Sequence, residues 1–241
     1  MRSFAAARWK FDGNVRLVIW YNTRIMKRKI EFAEGRWNPS EWMEIKSTRW
    51  DYVHGFEQCA DHIVNKTGSW SDEELYEKHV TEVYSSILLK EKFSGKHRFS
   101  STMSFDHLMA PLMVIAPELG RSADGRHPEF RRHHEIVLYN EGINVWRYDW
   151  NGKTSNWVLA AFLRSPFEAR RRYELSVTVE RYKATRRMTI ECDGRVFGFS
   201  DDALELDNYV GITGCEGRNR FYDFSIESGL AAHDDASDGE H

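Results

Sequence analysis

Residues 173–180 read Tyr-Glu-Leu-Ser-Val-Thr-Val-Glu, with apolar and polar side chains in strict alternation. Successive side chains of a β-strand point to opposite faces of a sheet, so this pattern predicts a strand with one buried and one solvated face. Similar runs occur at 84–92, 98–106, 112–117, 133–139, 143–150, 157–164, 187–192, 195–199, 209–213 and 220–227. A chain with so many short strands must pair them into sheets.

Turn signals separate these strands at spacings of about 8–12 residues, which is typical of β-sandwiches and barrels. Asn151-Gly152 and Asp193-Gly194 are favoured two-residue hairpin turns. Asn140-Glu141-Gly142 suits a three-residue turn that ends in a left-handed glycine. We therefore predict an all-β fold, a two-sheet antiparallel β-sandwich with one or two short helices.

The amino-terminal third has weaker patterns. Residues 15–32 read as a strand or strand pair, and residues 36–53 are irregular and rich in tryptophan, with a turn at Asn38-Pro39. Ser71-Asp72-Glu73-Glu74 has capping-box spacing and predicts a short helix. Residues 120–128 read as a polar loop. We expect one sandwich domain over 1–227 and a disordered acidic tail over 228–241.

Composition narrows the possible functions. Aromatic residues make up 14% of the chain and include nine Trp, more than a core needs, so some must lie on a surface or in a groove. With 34 basic and 37 acidic residues, no charge imbalance favours nucleic acid, and no apolar run is long enough to span a membrane. Residues 1–8 contain no signal-peptide core, and three irregularly spaced cysteines without a CxxC suggest free thiols. We expect a cytoplasmic protein that binds neither nucleic acid nor membranes.

The strands at 133–139 and 144–150 hold the residue types that sugar recognition requires, which are flat aromatic rings and fixed polar groups. If Ile136 and Leu138 point inward, His133, Glu135 and Tyr139 face the other way. Glu135 is the best candidate for an acid or base, with His133 or Tyr139 as its partner. The candidate substrate-binding residues are Asn144, Trp146, Arg147, Trp150, Trp157 and Arg98.

The turn after Tyr139 decides which face Trp146 occupies. A three-residue turn pairs Tyr139 with Ile143, whereas the alternative pairs Tyr139 with Asn144. A slip of one residue reverses every side chain of the strand. The sequence leaves both registers open, and Trp146 and Trp157 are equally compatible with the core.

Metal ligands are not evident in the sequence. His133 and His134 are neighbours on one strand and point to opposite faces, so they cannot share an ion. We expect no catalytic metal and no cofactor, although Asp201-Asp202 and Asp207 offer oxygens for a structural calcium.

In the last third of the chain, an alternating strand at 173–180 is followed by a hairpin at Asp193-Gly194, a strand at 209–213 that carries Gly211, and an aromatic strand from Phe221. This order of elements resembles the closing segment of the concanavalin A-like lectin/glucanase superfamily. More narrowly, the chain is similar to galectin-like sandwiches that bacteria encode beside pectin-degrading enzymes. The resemblance covers roughly residues 80–227 and implies a jelly roll that binds or cleaves glycans with its concave sheet.

The sequence departs from the active members of that superfamily. The ExDxE strand of laminarinase-type hydrolases and the H-x-N-P-R signature of galectins are both absent. We therefore consider an oligosaccharide-binding protein first and a glycoside hydrolase or polysaccharide lyase second, with a protein-interaction subunit as a third alternative. A hydrolase needs a second carboxylate, for which the sequence offers Glu82, Asp106, Glu118 and Asp149. A lyase would use Arg98 or Arg147 to neutralise a uronate.

Overall fold

The computed structural model describes residues 25–50, 53–67, 70–77, 83–106 and 110–229, in which two antiparallel sheets pack face to face. The nine-stranded sheet contains β1 (Met26–Glu31), β3 (Phe56–Gln58), β4 (Ile63–Asn65), β7 (His97–Phe105), β14 (Tyr173–Tyr182), β15 (Thr185–Cys192), β16 (Arg195–Ser200), β18 (Asn219–Phe221) and β19 (Asp223–Ser228). The eight-stranded sheet contains β2 (Trp42–Glu44), β5 (Tyr84–Leu89), β6 (Phe93–Ser94), β8 (Pro111–Ala116), β11 (His133–Tyr139), β12 (Gly142–Trp150), β13 (Ser155–Arg164) and β17 (Asp207–Cys215). This architecture confirms the predicted sandwich.

The order of strands explains which residues become neighbours. In the eight-stranded sheet the order is β13-β12-β11-β8-β17-β5-β2, and β6 also pairs with β17. In the nine-stranded sheet the order is β16-β15-β14-β7-β18-β4-β3, and β19 joins β7 to β1. Strand β13 is therefore at one edge of its sheet, and β2 is at the other.

The main core fills the space between the two sheets, as strand alternation dictates. The eight-stranded sheet contributes one side chain in two to it, including Met113, Ile115, Ile136, Leu138 and Val145. Facing them from the nine-stranded sheet are fully buried side chains such as Phe99, Met103, Leu175, Val177 and Ile190.

A second apolar cluster lies on the outer face of the eight-stranded sheet. Leu88, Leu112 and Val114 belong to it and are covered by Ile45 and Phe130. Phe130 comes from a small hairpin of β9 (Leu119–Arg121) and β10 (Pro128–Phe130), which occupies part of the predicted loop at 120–128. The backbone of Lys46 fixes this hairpin, with Lys46 N donating to Pro128 O at 2.9 Å and Phe130 N donating to Lys46 O at 3.0 Å. These covering segments leave only part of the outer face open.

The turns agree with the predictions at one hairpin and differ at two. Asp193 and Gly194 have φ of 52° and 75° and form the predicted two-residue turn between Cys192 and Arg195. The loop after β12 has four residues, because Trp150 pairs with Ser155. Asn151 Oδ1 accepts from the backbone N–H groups of residues 153 and 154 and stabilises this longer loop.

The turn after β11 also differs from both predicted registers. Tyr139 pairs directly with Gly142, so the turn consists of Asn140 and Glu141 alone. Gly142 lies inside β12, and a Cβ atom there would approach the Leu163 carbonyl oxygen to 2.2 Å. The glycine is thus required for close approach of β13, and not for a left-handed turn.

The predicted short helix is present, and the last predicted strand is divided in two. The capping box at Ser71 is present at the start of α1 (Asp72–Glu77), with Glu74 N donating to Ser71 Oγ at 3.2 Å and Ser71 N donating to a Glu74 carboxylate oxygen at 2.9 Å. The predicted strand at 220–227 is divided into β18 and β19, which pair with different parts of β7.

Parts of the predictions for the chain ends lie outside the described residues. These are the strand at 15–24 and the tail from residue 230 onward. Among the described helices, none is long and apolar enough to cross a membrane. Cys59, Cys192 and Cys215 are all free thiols.

Candidate functional site

A pocket of about 240 Å³ opens on the outer face of the eight-stranded sheet, over β11, β12 and β13. We call it the Glu135 pocket. Its lining comprises Arg49, Ala110, Leu112, Glu135, Val137, Tyr139, Asn144, Trp146, Tyr148, Trp157, Cys215 and Glu216. The strands supply the floor, and the covering segment that carries Arg49 supplies part of the wall.

Strand register explains why these side chains meet. Glu135 pairs with Trp146, Val137 pairs with Asn144, and residues directly opposite in an antiparallel pair share a face. Trp146 therefore lies on the outer face, which resolves the ambiguity left by the sequence. The pairing of β12 with β13 shifts by one residue between Val145 and Trp146, so β13 has one extra residue at this point. The side chains of β12 keep their alternation across the shift.

Glu135 is held in a defined position at the base of the pocket. Its Oε1 atom accepts a 2.7 Å hydrogen bond from the Tyr84 hydroxyl and lies 3.4 Å from His133 Nε2. Only 5% of the residue is exposed. Burial works to raise the pKa of Glu135, but His133, Tyr84 and Tyr148 outweigh it and hold the pKa below its usual value. The carboxylate is therefore a preorganised anion.

Aromatic rings form a continuous row beside Glu135. His133 lies between Phe130, with ring centroids 4.2 Å apart, and Tyr148, with centroids 4.3 Å apart and planes at 6°. The row continues to Trp157, whose ring centroid is 6.4 Å from that of Tyr148. His133 is buried within this row and does not line the pocket, whereas Trp157 is 54% exposed at its mouth. The sequence placed His133 on the correct face but did not indicate that neighbouring rings bury it.

Arg49 is a pocket residue that the sequence analysis missed. Its guanidinium donates to the Tyr148 hydroxyl at 3.3 Å and lies 5.5 Å from the Trp157 ring centroid. Burial works to lower the pKa of Arg49, but Tyr148 and Glu135 outweigh it and raise the pKa, so the group stays cationic. Arg49 lies far from β11 in the sequence, and its irregular Trp-rich segment was the only signal nearby.

Glu216 is a second missed residue and the second carboxyl group of the pocket. It directly follows β17 and has a left-handed backbone, with φ of 54°, which is uncommon for a non-glycine residue. Burial raises the pKa of Glu216, Arg49 opposes the change, and the charge of Glu135 adds to it. The two carboxyl groups of the pocket therefore have pKa values shifted in opposite directions.

Three of the four carboxylates proposed as partners of Glu135, namely Asp106, Glu118 and Asp149, lie outside the pocket. Asp106 pairs with Arg220, Glu118 with Arg132 and Asp149 with Arg147, while Glu82 lies outside the described residues. Glu216 could not be selected from the sequence, because its position depends on the pairing of β17 with β5 and β8.

The structure places three of the predicted binding residues elsewhere. Arg147 follows Trp146 and so points to the opposite face, where it contacts Asp149 and Asp201. Trp150 lies beyond the pocket, with the Arg131 guanidinium 4.2 Å from its ring centroid. Arg98 lies on the nine-stranded sheet, with a guanidinium nitrogen 3.0 Å from Ser176 Oγ. Five predicted residues do line the pocket, namely Glu135, Tyr139, Asn144, Trp146 and Trp157.

Asp201, one of the aspartates considered for a structural calcium, lies outside the Glu135 pocket. Asp201 accepts hydrogen bonds from Arg147 at 3.1 Å and from the backbone N–H of Ala203 at 2.9 Å, and it lies 3.3 Å from His134 Nε2. Cations and hydrogen-bond donors thus surround its oxygens. Within the part of the chain that the structure describes, no three His, Cys, Asp or Glu side chains come together as metal ligands.

Comparisons with known proteins identify the fold. No family model matches the sequence, and no curated protein matches it. Among solved structures, the carbohydrate-binding module CBM66 from Bacillus subtilis is 12% identical, with a TM-score of 0.51, over 78% of this chain and 96% of that one. Peanut lectin in complex with a nine-residue peptide is 10% identical, with a TM-score of 0.52, over 85% and 97%. The fold is therefore that of the concanavalin A-like jelly rolls.

Proposed function

We propose that this chain binds an oligosaccharide, with one sugar ring in the Glu135 pocket and the following rings over strand β13. The observation that carries the proposal is the convergence of Glu135 and Arg49 with the rings of Trp146 and Trp157 on one pocket. The apolar face of a pyranose stacks on aromatic rings, and its hydroxyls need fixed charged or polar partners. The pocket offers both kinds of contact side by side.

The size of the pocket supports a single ring inside it. Its volume of about 240 Å³ is below the roughly 300–1,000 Å³ of sites that enclose drug-sized ligands. A longer saccharide would have to leave the pocket and lie on the surrounding surface. The structure offers such a surface on the side of β13.

Strand β13 presents an apolar surface beside the pocket. Trp157, Leu159 and Phe162 are exposed by 54%, 48% and 46%, and they pair with outer-face residues of β12. Exposed apolar surfaces of this kind mark ligand or partner sites in soluble proteins. The shared fold with a protein named as a carbohydrate-binding module adds general support.

Titration calorimetry with a defined set of saccharides tests the proposal. The probes are cellotetraose, xylotetraose, tetragalacturonic acid, chitotetraose and 2′-fucosyllactose. At least one should bind, and Trp157→Ala should weaken that binding by roughly tenfold or more, because aromatic anchors dominate such contacts. Trp150→Ala is the matched control, since Trp150 lies outside the pocket. Binding of no probe, or binding that is indifferent to Trp157→Ala, contradicts the proposal.

A glycoside hydrolase is the second candidate, and the pair Glu135 and Glu216 favours it. Hydrolases use one carboxyl group that stays protonated and one that stays ionised, as the opposite pKa shifts of this pair suggest. A lyase that used Tyr148 as its base is less favoured, because burial and Glu135 raise the pKa of the Tyr148 hydroxyl and keep it protonated near neutral pH. If the chain is a hydrolase, Glu216→Gln should retain binding and stop the release of reducing ends. A bound oligosaccharide that the unaltered protein leaves intact contradicts this alternative.

A further inference from the structure

The buried lining of the Glu135 pocket has two chemically different halves. Glu135 and Tyr148 form a polar half near Arg49. Ala110, Leu112 and Val137 form an apolar half, and they are exposed by only 2%, 1% and 9%. A ligand that fills the pocket must therefore present hydroxyls to one side and an apolar group to the other.

Sheet register makes the apolar half continuous. Leu112 on β8 pairs directly with Val137 on β11, so their side chains share the outer face. Ala110 precedes β8, and its backbone exchanges hydrogen bonds of 3.0 and 3.3 Å with Cys215. Backbone groups on this side are used in the sheet, and the side chains of Ala110, Leu112 and Val137 offer a ligand no hydrogen-bonding atom.

An ordinary hexose does not suit this half of the pocket. A hydroxyl placed against Leu112 and Val137 would lose its water and find no hydrogen-bonding atom on either side chain, which is unfavourable. A methyl group at the same place would be removed from water with benefit. The two effects act in the same direction and together correspond to roughly a ten- to hundredfold preference in affinity.

We propose that the sugar in the Glu135 pocket carries a methyl group, which lies against Ala110, Leu112 and Val137. This inference rests on the proposed saccharide binding and specifies its ligand class. The methyl group can be the C6 methyl of a 6-deoxyhexose or the methyl of an N-acetyl group. Both sources share the chemistry that the apolar half recognises. Glu135 and Arg49 remain available for the hydroxyls on the other side, and Asn144, which pairs with Val137, lies beside the apolar half and can bind an amide or a hydroxyl next to the methyl group.

Matched pairs of free sugars test the inference by titration calorimetry or ligand-observed NMR. The pairs are L-fucose with L-galactose, L-rhamnose with L-mannose, and N-acetyl-D-glucosamine with N-formyl-D-glucosamine, which keeps the amide and lacks the methyl group. In at least one pair the methyl-bearing sugar should bind ten- to a hundredfold more tightly. A preference in the first two pairs identifies a 6-deoxyhexose, and a preference in the third identifies an N-acetyl sugar. The methyl protons should also receive the strongest saturation transfer from the protein.

Val137→Thr places a hydroxyl in the apolar half at nearly constant volume. The substitution should reduce the preference for the methyl-bearing sugar over its partner severalfold. Val196→Thr, on the exposed surface of β16, is the matched control and should leave the preference unchanged. Equal binding within all three pairs overturns the methyl inference and leaves saccharide binding intact. If neither the free sugars of these pairs nor any of the five oligosaccharides binds, both proposals are overturned. If Val137→Thr fails to fold, a saturation pattern centred away from the methyl group in the unaltered protein overturns the inference.

Discussion

The Tyr84 hydroxyl donates a 2.7 Å hydrogen bond to Glu135 Oε1 across the two strands, β17 and β8, that separate β5 from β11. Both residues are buried, and the carboxylate therefore receives a fixed donor from within the protein. Such support holds a binding group in one orientation before any ligand arrives. It also means that Glu135 stabilises the fold as well as the proposed site.

Removing the phenol oxygen should reveal this structural contribution. Tyr84→Phe keeps the ring and leaves a buried carboxylate without one donor. Hydrogen bonds to charged groups contribute on the order of 1.5–3 kcal/mol, so the free energy of unfolding should fall by about that amount. Urea unfolding at pH 7 measures it. Tyr209→Phe, at a half-buried phenol of β17, is the control, and equal losses in the two variants would contradict a special role for the Tyr84–Glu135 bond.

Glu135→Gln separates the two candidate functions. Loss of a charged hydrogen-bonding group should weaken saccharide binding by roughly ten- to a hundredfold if the chain is a binding protein. In a hydrolase the same substitution should stop turnover while binding persists. Glu191→Gln, at a half-exposed position of the nine-stranded sheet, is the control. Unchanged binding and unchanged turnover on a saccharide that binds would remove Glu135 from the site.

Asp201 should make the fold sensitive to acid. The His134 contact, the backbone N–H of Ala203 and Arg147 hold the pKa of this carboxyl well below its usual value, against the effect of burial. The Asp201 carboxylate thus binds a proton less readily in the folded state than in the unfolded chain, where the pKa of this group is near 3.8. The resulting stabilisation is complete above that pKa and is lost as the pH falls toward the folded value.

Asp201→Asn should therefore unfold at lower urea concentration than the unaltered protein at pH 7, and the difference should shrink between about pH 5 and pH 2. Asp202→Asn is the matched control, because Asp202 is the next residue and its carboxylate is not held by Arg147 or His134. Urea titrations at pH 7, 5 and 3 measure the effect. A difference that stays constant over this range would show that the charge of Asp201 does not stabilise the fold.

Gly142→Ala should destabilise the β12–β13 pair. A Cβ atom would lie 2.2 Å from the Leu163 carbonyl oxygen, so the two strands would have to separate. Overpacking of this kind typically costs about 1–3 kcal/mol. Gly198→Ala is a milder control, since its Cβ would lie 3.1 Å from the Met188 carbonyl oxygen. Thermal unfolding should show a clearly larger loss for Gly142→Ala, and equal losses would contradict this reason for the glycine.

Some errors in the predicted site were avoidable from the sequence. Trp146 and Arg147 are neighbours on one strand, and a strand that places Trp146 in the pocket must point Arg147 away from it. Arg98 lies on a strand with no sequence link to β11, and its charge is the only feature that favours it as a partner of a uronate. Trp150 has the correct parity for the outer face but lies past the end of the pocket, under Arg131. The cytoplasmic location stays a prediction.

Local pattern by itself determined the strand content, the helix at Ser71, the turn at Asp193-Gly194 and the outward face of Glu135. These features depend on residues within a few positions of one another, through alternation, capping and turn geometry. Tertiary structure alone brought Arg49 and Glu216 to Glu135, buried His133 between Phe130 and Tyr148, and supplied Tyr84 as a donor. The order of strands in a sheet and the register between them depend on contacts between distant parts of the chain, so residues 49, 84, 135 and 216 become neighbours only when the sheet is assembled.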